Sequence, residues 1–228
     1  MADRERQSWW DIPLTIGIAI GVVLLITTFV AKPFSIPSGS MENTLGIGDR
    51  VLVNRAVYHL RGIERGDVVV FDGSDSFVPA GDVPQRNPVA GALTWIGQSV
   101  GVVPPDSTDF IKRVIGVGGD HVTCCDADGR MAVNGAPLQE EGYLFSGDSP
   151  STQTFDVIVP QGMLWVMGDH RSNSADSRAH MGDPGGGFVP ESKVVGRAMA
   201  VLWPFSRLQA LQIPSTFATV PAPTGGGS

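Results

Sequence analysis

Ile12-Pro-Leu-Thr-Ile-Gly-Ile-Ala-Ile-Gly-Val-Val-Leu-Leu-Ile-Thr-Thr-Phe-Val-Ala31 is a run of 20 residues without a formal charge, and Ser40 follows nine positions later in Ile36-Pro-Ser-Gly-Ser-Met41. The run is apolar all round, and about 20 such residues reach across the hydrocarbon core of a bilayer. Pro13 falls in the first turn, where its missing N–H costs nothing. Trp9 and Trp10 sit at the interface depth that indoles prefer, and Lys32-Pro33 ends the span. A cleaved secretory signal would carry a core of about 7–15 residues with small residues at −1 and −3 of the cut. Here the core is longer, and bulky Phe29 stands two positions before Ala31. The expectation is an uncleaved transmembrane anchor over 12–31 behind a short leader over 1–11. Arg4 and Arg6 precede the span and Lys32 follows it, a small bias toward a cytoplasmic N-terminus. Large domains translocate regardless of so small a bias, which puts the body outside the cell membrane.

Of the 228 residues, just under 200 remain beyond the span, enough for one large domain or two small ones. The mean hydropathy of +0.09 describes an ordinary water-soluble body rather than a polytopic membrane protein. A net charge of −7 argues against nucleic acid as a partner, because phosphate neutralisation needs a basic face. Glycine (29) and proline (17) are plentiful and aromatic residues sparse, a balance that favours short strands and many turns. The two cysteines, Cys124 and Cys125, are adjacent and cannot staple distant loops. They either close a vicinal disulfide or stay unlinked on opposite faces of a strand, and the strand alternation favours the second. Zinc needs more ligands than this neighbourhood offers, and no metal or organic cofactor is expected.

Val51-Leu-Val-Asn-Arg-Ala-Val57 and Val68-Val-Val-Phe71 read as strands, each introduced by a Gly-Asp turn. Phe110-Ile-Lys-Arg-Val-Ile-Gly-Val117 is a third, closed by Gly118-Gly-Asp120, and 122–133 folds back at Asp128-Gly129. Phe155 to Val159, Leu164 to Met167 and Val194 to Leu202 complete a mainly β body over 32–213. The Pro/Gly/Ser-rich stretch 72–109 reads as an insertion with one apolar patch, Leu93 to Val103, that touches the body or the membrane. Asp183 to Gly187 reads as a flexible loop, and the Pro/Thr/Gly-rich tail 214–228 as disordered.

A serine hydroxyl is a weak nucleophile until a base takes its proton. The four histidines, His59, His121, His170 and His180, come with no Gly-x-Ser-x-Gly elbow around Ser40. Lysine is rare, and Lys112 is set in an apolar strand, where alternation puts it on one face with Phe110 and Val114. If that face is buried, desolvation disfavours the ammonium and tunes the amine toward a base at neutral pH. The alternative is an edge-strand lysine whose stem packs while its head reaches water. The loop Met167-Gly-Asp-His-Arg-Ser-Asn-Ser-Ala-Asp-Ser-Arg178 is either a polar turn held by its own hydrogen bonds or a support for the lysine.

Five boxes occur in order: Ile36-Pro-Ser-Gly-Ser-Met41 with Thr44-Leu45, Gly48 to Val53, Ile111 to Asp120, Gly168 to Arg178, and Phe188-Val-Pro-Glu191 with Val195-Gly-Arg-Ala198. Together they resemble the bacterial type I signal peptidases, membrane-anchored Ser/Lys endopeptidases that remove signal peptides from exported preproteins at small-x-small sites. The likeness runs from the anchor to about Pro204, apart from 72–109, and implies the antiparallel β catalytic body of that family. It also implies roles. Ser40 matches the nucleophile and Lys112 the general base, with Ser38 and the Ser40 N–H as the oxyanion hole. Ser174 matches the serine that hydrogen-bonds the lysine. Asp176 with Arg178 matches the supporting pair, and Asp169 and Arg171 are further supporting positions around the lysine. Phe34, Ile36, Met41 and Ile111 match shallow apolar substrate pockets. Signal peptides, the lipid bilayer and proximity to the secretion translocon are the implied partners. Asn43 departs from the family's usual proline and His170 from its common asparagine. A related Ser/Lys autoprotease, which would not need a span, and a non-catalytic anchored β-domain that binds a partner are the competing readings.

Overall fold

The computed structural model describes residues 11–29, 31–74, 76–78 and 108–223, with helix side chains described over 12–22. A helix, α1 (Asp11–Phe29), leads directly into β1 (Ala31–Ser35). Then follow β2 (Arg50–Asn54), β3 (Val68–Asp72), β4 (Asp109–Val117), β5 (His121–Cys124), β6 (Ala132–Val133) and β7 (Ala136–Pro137). The last five are β8 (Phe155–Ile158), β9 (Met163–Met167), β10 (Val189–Pro190), β11 (Val194–Trp203) and β12 (Gln209–Ala210). β-branched and aromatic residues crowd the longer strands, where a branched side chain packs well on a pleated surface.

The strands form two antiparallel sheets. The large one runs β1-β2-β11-β3-β4-β9-β10 with β12 on β11, and the small one runs β7-β6-β5-β8. β4 lies in the middle of the large sheet, with Lys112 opposite Val69 of β3 and Arg113 opposite Met167 of β9. Residues 111–116 are buried without a break, so both faces of β4 are covered. The reason is that β4 serves three apolar clusters. Val114 joins Val69, Phe71, Leu164 and Val166; Ile111 joins Phe34, Ile36, Met41 and Val51; Ile115 joins Val122, Val133, Phe155 and Trp165. Period-2 alternation puts Lys112 on the Val114 side and Arg113 on the Ile111 and Ile115 side.

The expected hairpin at Asp128-Gly129 forms between β5 and β6, with Val122 opposite Val133. Gly129 takes φ +78°, a region that a residue with a Cβ rarely enters. Two expectations need correction. Cys124 and Cys125 are joined as a vicinal disulfide rather than left as separate thiols. The turn that carries them leaves the strand at Cys124, so strand alternation no longer separates the two sulfurs. The expected disordered tail from 214 instead contains structure: Ser215–Thr219 forms a 3-10 turn that buries Thr216 and Phe217. Its Pro/Thr composition concealed the buried anchors Phe217 and Val220.

α1 carries the expected run, and Ile12, Leu14, Ile16, Ile18, Ile20 and Val22 are each more than half exposed. Among the described residues, however, no helix is long and apolar enough to cross a membrane. The Leu93 to Val103 patch, residues 1–10 of the leader and the end of the tail from 224 lie outside the described residues.

Phe217 packs into the cluster of the small sheet and stacks on Tyr143 with ring centroids 6.0 Å apart. Phe217→Ala is therefore expected to lower unfolding stability by about 3–5 kcal/mol in denaturant titration. A variant as stable as the parent would mean that the terminal segment is peripheral to the core.

Candidate active site

β1 ends at Ser35, and the chain turns sharply through 36–49 before β2 begins. The Ile36 N–H donates to the Asp49 carbonyl and the Gly48 N–H to the Ile36 carbonyl. Inside this loop a tight turn, with the Glu42 N–H donating to the Gly39 carbonyl, carries Ser40. Met41 and Leu45 drop into the apolar cluster below and pin the turn to the sheet.

Lys112 reaches the same point from the centre of β4. Its Nζ lies 2.7 Å from Ser40 Oγ and 3.0 Å from the Ile111 carbonyl. Lys112 is 3% exposed and Ser40 6%, so the contact is shielded from water. Burial pushes the Lys112 ammonium down to about 8, while the charges of Asp176 and Asp169 act in the opposite direction. The edge-strand alternative is excluded by this burial. Ser38 Oγ stands 3.5 Å from Ser40 Oγ, at the outer limit of a hydrogen bond.

The loop 168–178, which follows β9, packs against the Ser40 turn and is held by buried ion pairs. Asp176 accepts from Arg178 Nε at 2.9 Å and Nη2 at 2.8 Å, and from the Gly168 N–H at 3.0 Å. Burial works to raise the Asp176 carboxyl, but the Arg178 guanidinium and the Gly168 amide hold it below its ordinary value. Asp169 accepts from Arg113 Nε at 2.8 Å and Nη2 at 2.6 Å, and from the Thr44 hydroxyl. Arg171 pairs with Glu140 of the small sheet's side, and Tyr143 hydrogen-bonds the same carboxylate. Asp169 and Arg171 thus join the loop to two different parts of the body.

Phe34, Ile36, Met41 and Ile111 come together in one cluster, at most 6% exposed, which floors the site more than it lines an open pocket. A cavity of about 1140 Å³ bordered by Thr44, Tyr143 and Gln209 does not have Ser40 or Lys112 in its wall. The expected hydrogen bond from Ser174 to Lys112 does not form: the Ser174 side chain engages Asp176, and the amine takes the Ile111 carbonyl as its second partner. Sequence reading missed Arg113, Glu140 and Tyr143. Arg113 had a signal, since alternation sends the neighbour of Lys112 to the other buried face, where a guanidinium needs a carboxylate.

These positions are not confined to local geometry. A family model described as "Signal peptidase, peptidase S26" matches residues 9–203. On that match over most of its length, the chain belongs to the signal peptidase family, S26, and is a peptidase. Its relatives are of type I. "Probable signal peptidase I" of Mycobacterium leprae (strain TN) is 40% identical over 236 residues, covering 90% of this chain and 79% of that protein. "Signal peptidase I" of Leptolyngbya laminosa is 36% identical over 203 residues, covering 89% and 84%. A crystal structure of a signal peptidase I from Enterococcus faecalis V583 aligns with a TM-score of 0.36 at 22% identity, over 60% of this chain and 97% of that one.

Gly168 is one point where the loop and the Ser40 turn touch. A Cβ built there meets the Ser40 carbonyl oxygen at 2.3 Å and Ser174 Oγ at 2.3 Å. Backbone cannot yield as a side chain can, so Gly168→Ala must displace the nucleophile turn. The expected result is a loss of about 1–3 kcal/mol in stability together with a far larger fall in peptidase activity. Parent-like turnover would contradict this packing.

Proposed function

We propose that this chain is a membrane-anchored serine endopeptidase that removes signal peptides from exported preproteins. The observation that carries the reading is the buried 2.7 Å contact between Ser40 Oγ and Lys112 Nζ. The relatives' names give the substrate class, and the five boxes give the residue roles. The substrate's extended cleavage region pairs with strand backbone near the Ser40 turn, its small −1 and −3 side chains resting on the floor made by Phe34, Ile36, Met41 and Ile111. Because that floor is closed, only small side chains fit.

Neutral Lys112 takes the Ser40 proton as Oγ attacks the scissile carbonyl. The Ser38 hydroxyl and the Ser40 N–H receive the developing oxyanion, at about 3 kcal/mol for each well-placed donor. The charged lysine then gives its proton to the leaving amine. The amine, neutral again, activates the water that releases the acyl group from Ser40. Asp176 and Arg178 hold the loop that closes the site beside Lys112, and Asp169 and Arg171 tie it to the rest of the body. Ser174 lies within the same loop, where its side chain engages Asp176.

The anchor rests on the uncharged run 12–31 and on the exposed apolar side chains of α1. In this reading the N-terminus is cytoplasmic and the body lies outside the plasma membrane, near the translocon that delivers its substrates. A signal peptide is itself apolar and bilayer-inserted, so placing enzyme and substrate in one membrane raises their effective concentration.

Ser40→Ala and Lys112→Ala should each lower kcat on a preprotein by at least about 1,000-fold. A variant that still cut at parental rate would remove its residue from the chemistry. The pH profile has a defined sign: only the neutral amine is a base, so kcat/KM rises with pH through about 8, where Lys112 titrates. A rate flat from mildly acidic to alkaline pH would exclude Lys112 as the base.

A further inference from the structure

One residue of the 168–178 loop grips the Ser40 turn from both sides. The His170 N–H donates to the Ser40 carbonyl at 3.1 Å. Its ring Nδ1 lies 3.2 Å from the Gly39 carbonyl and 3.0 Å from Glu42 Oε2. A carbonyl and an ionised carboxylate only accept, so Nδ1 carries the proton and shares it between them. The ring is stacked on Phe145 with centroids 3.8 Å apart and planes 17° apart. Phe145 is in turn tied by its N–H to the Asp169 carbonyl at 2.9 Å. With its side chain only 14% exposed, His170 has little freedom to leave this position.

A trans peptide is a rigid plane in which the C=O and the following N–H point in opposite directions. The Gly39–Ser40 bond is not among the cis bonds of the chain. A hydrogen bond that fixes the Gly39 carbonyl therefore also fixes where the Ser40 N–H points, and the imidazole adds to the bond this carbonyl accepts from the Glu42 N–H at 3.0 Å. That N–H is the backbone donor assigned above to the oxyanion hole. Gly39 has no side chain to steady the plane itself, and a Cβ there would meet Glu42 Oε2 at 2.9 Å.

We propose that His170 is a positioning residue for the oxyanion hole: its imidazole, through the Gly39 carbonyl, aims the Ser40 N–H at the scissile carbonyl. The inference rests on the reading of Ser40 as nucleophile. It gives a function to the histidine that stands where asparagine is common, since an Asn amide N–H occupies nearly the place of Nδ1–H.

The test compares His170→Phe, His170→Ala and His170→Asn in the full chain, with Ser40→Ala alongside. His170→Phe keeps the backbone N–H and the stack on Phe145 but loses the donor. It should lower kcat by about 10- to 100-fold, less than outright removal of a donor, with KM within about twofold of the parent. His170→Ala, a second donorless variant should the first not fold, must give the same split. His170→Asn should recover most of the lost kcat. A parental kcat in either donorless variant, a loss carried by KM, or an equal fall in the asparagine variant would overturn the proposal. An inactive Ser40→Ala beside a fully active His170→Phe defeats only this inference, whereas an active Ser40→Ala defeats the reading beneath it.

Discussion

The structure depends on burying one amine. Lys112 sits within β4, buried, with Ser40 Oγ and the Ile111 carbonyl as its hydrogen-bond partners among the described residues. Ordinary packing would reject an ammonium there. Its folded pKa of about 8 lies below the ordinary 10.5. Between those values the unfolded chain binds more protons than the folded one, so this group's contribution to stability improves as pH rises across that window. Below about 8 both forms are protonated and the penalty is constant, on the order of 3 kcal/mol. A fold tolerates such a cost where the neutral amine serves chemistry.

A lowered amine pKa survives beside carboxylates only where those carboxylates are committed to other cations. Asp176 and Asp169 are both buried beside Lys112 and both act to raise its pKa. Each is already held by an arginine, Arg178 and Arg113, in a two-point hydrogen-bonded pair. Arg113 is the immediate neighbour of Lys112, sent by strand alternation to the opposite face. One strand thus presents the lysine to Ser40 and, one residue on, the cation that occupies Asp169. Breaking either arginine pair would leave a buried, uncompensated carboxylate close to the amine.

Much of this was legible in the residues. The buried face of β4 follows from Phe110, Lys112 and Val114 in alternation, and the β hairpin follows from Asp128-Gly129. The order of boxes located the Ser40 turn and the 168–178 loop before any distance was known. What the sequence withheld depends on long-range packing. No local pattern pairs Arg171 with Glu140, 31 residues away, or lays His170 on Phe145. Phe217 and Val220 disappear in a tail whose composition reads as disorder, because two anchors do not alter an average. Cys124 and Cys125 were read as strand residues, although β5 stops between them. The run 12–31 remains an argument from hydropathy, carried by an exposed apolar helix.

The central claim is that Lys112 is buried with its amine poised to be neutral. Lysine is present at three positions only, Lys32, Lys112 and Lys193, so a side-chain-labelled sample has three amines to assign. Direct NMR titration of the Lys112 Cε and Nζ signals tests the claim without reference to turnover. The account predicts a midpoint near 8 for Lys112. A midpoint at the ordinary value of 10.5 would contradict it.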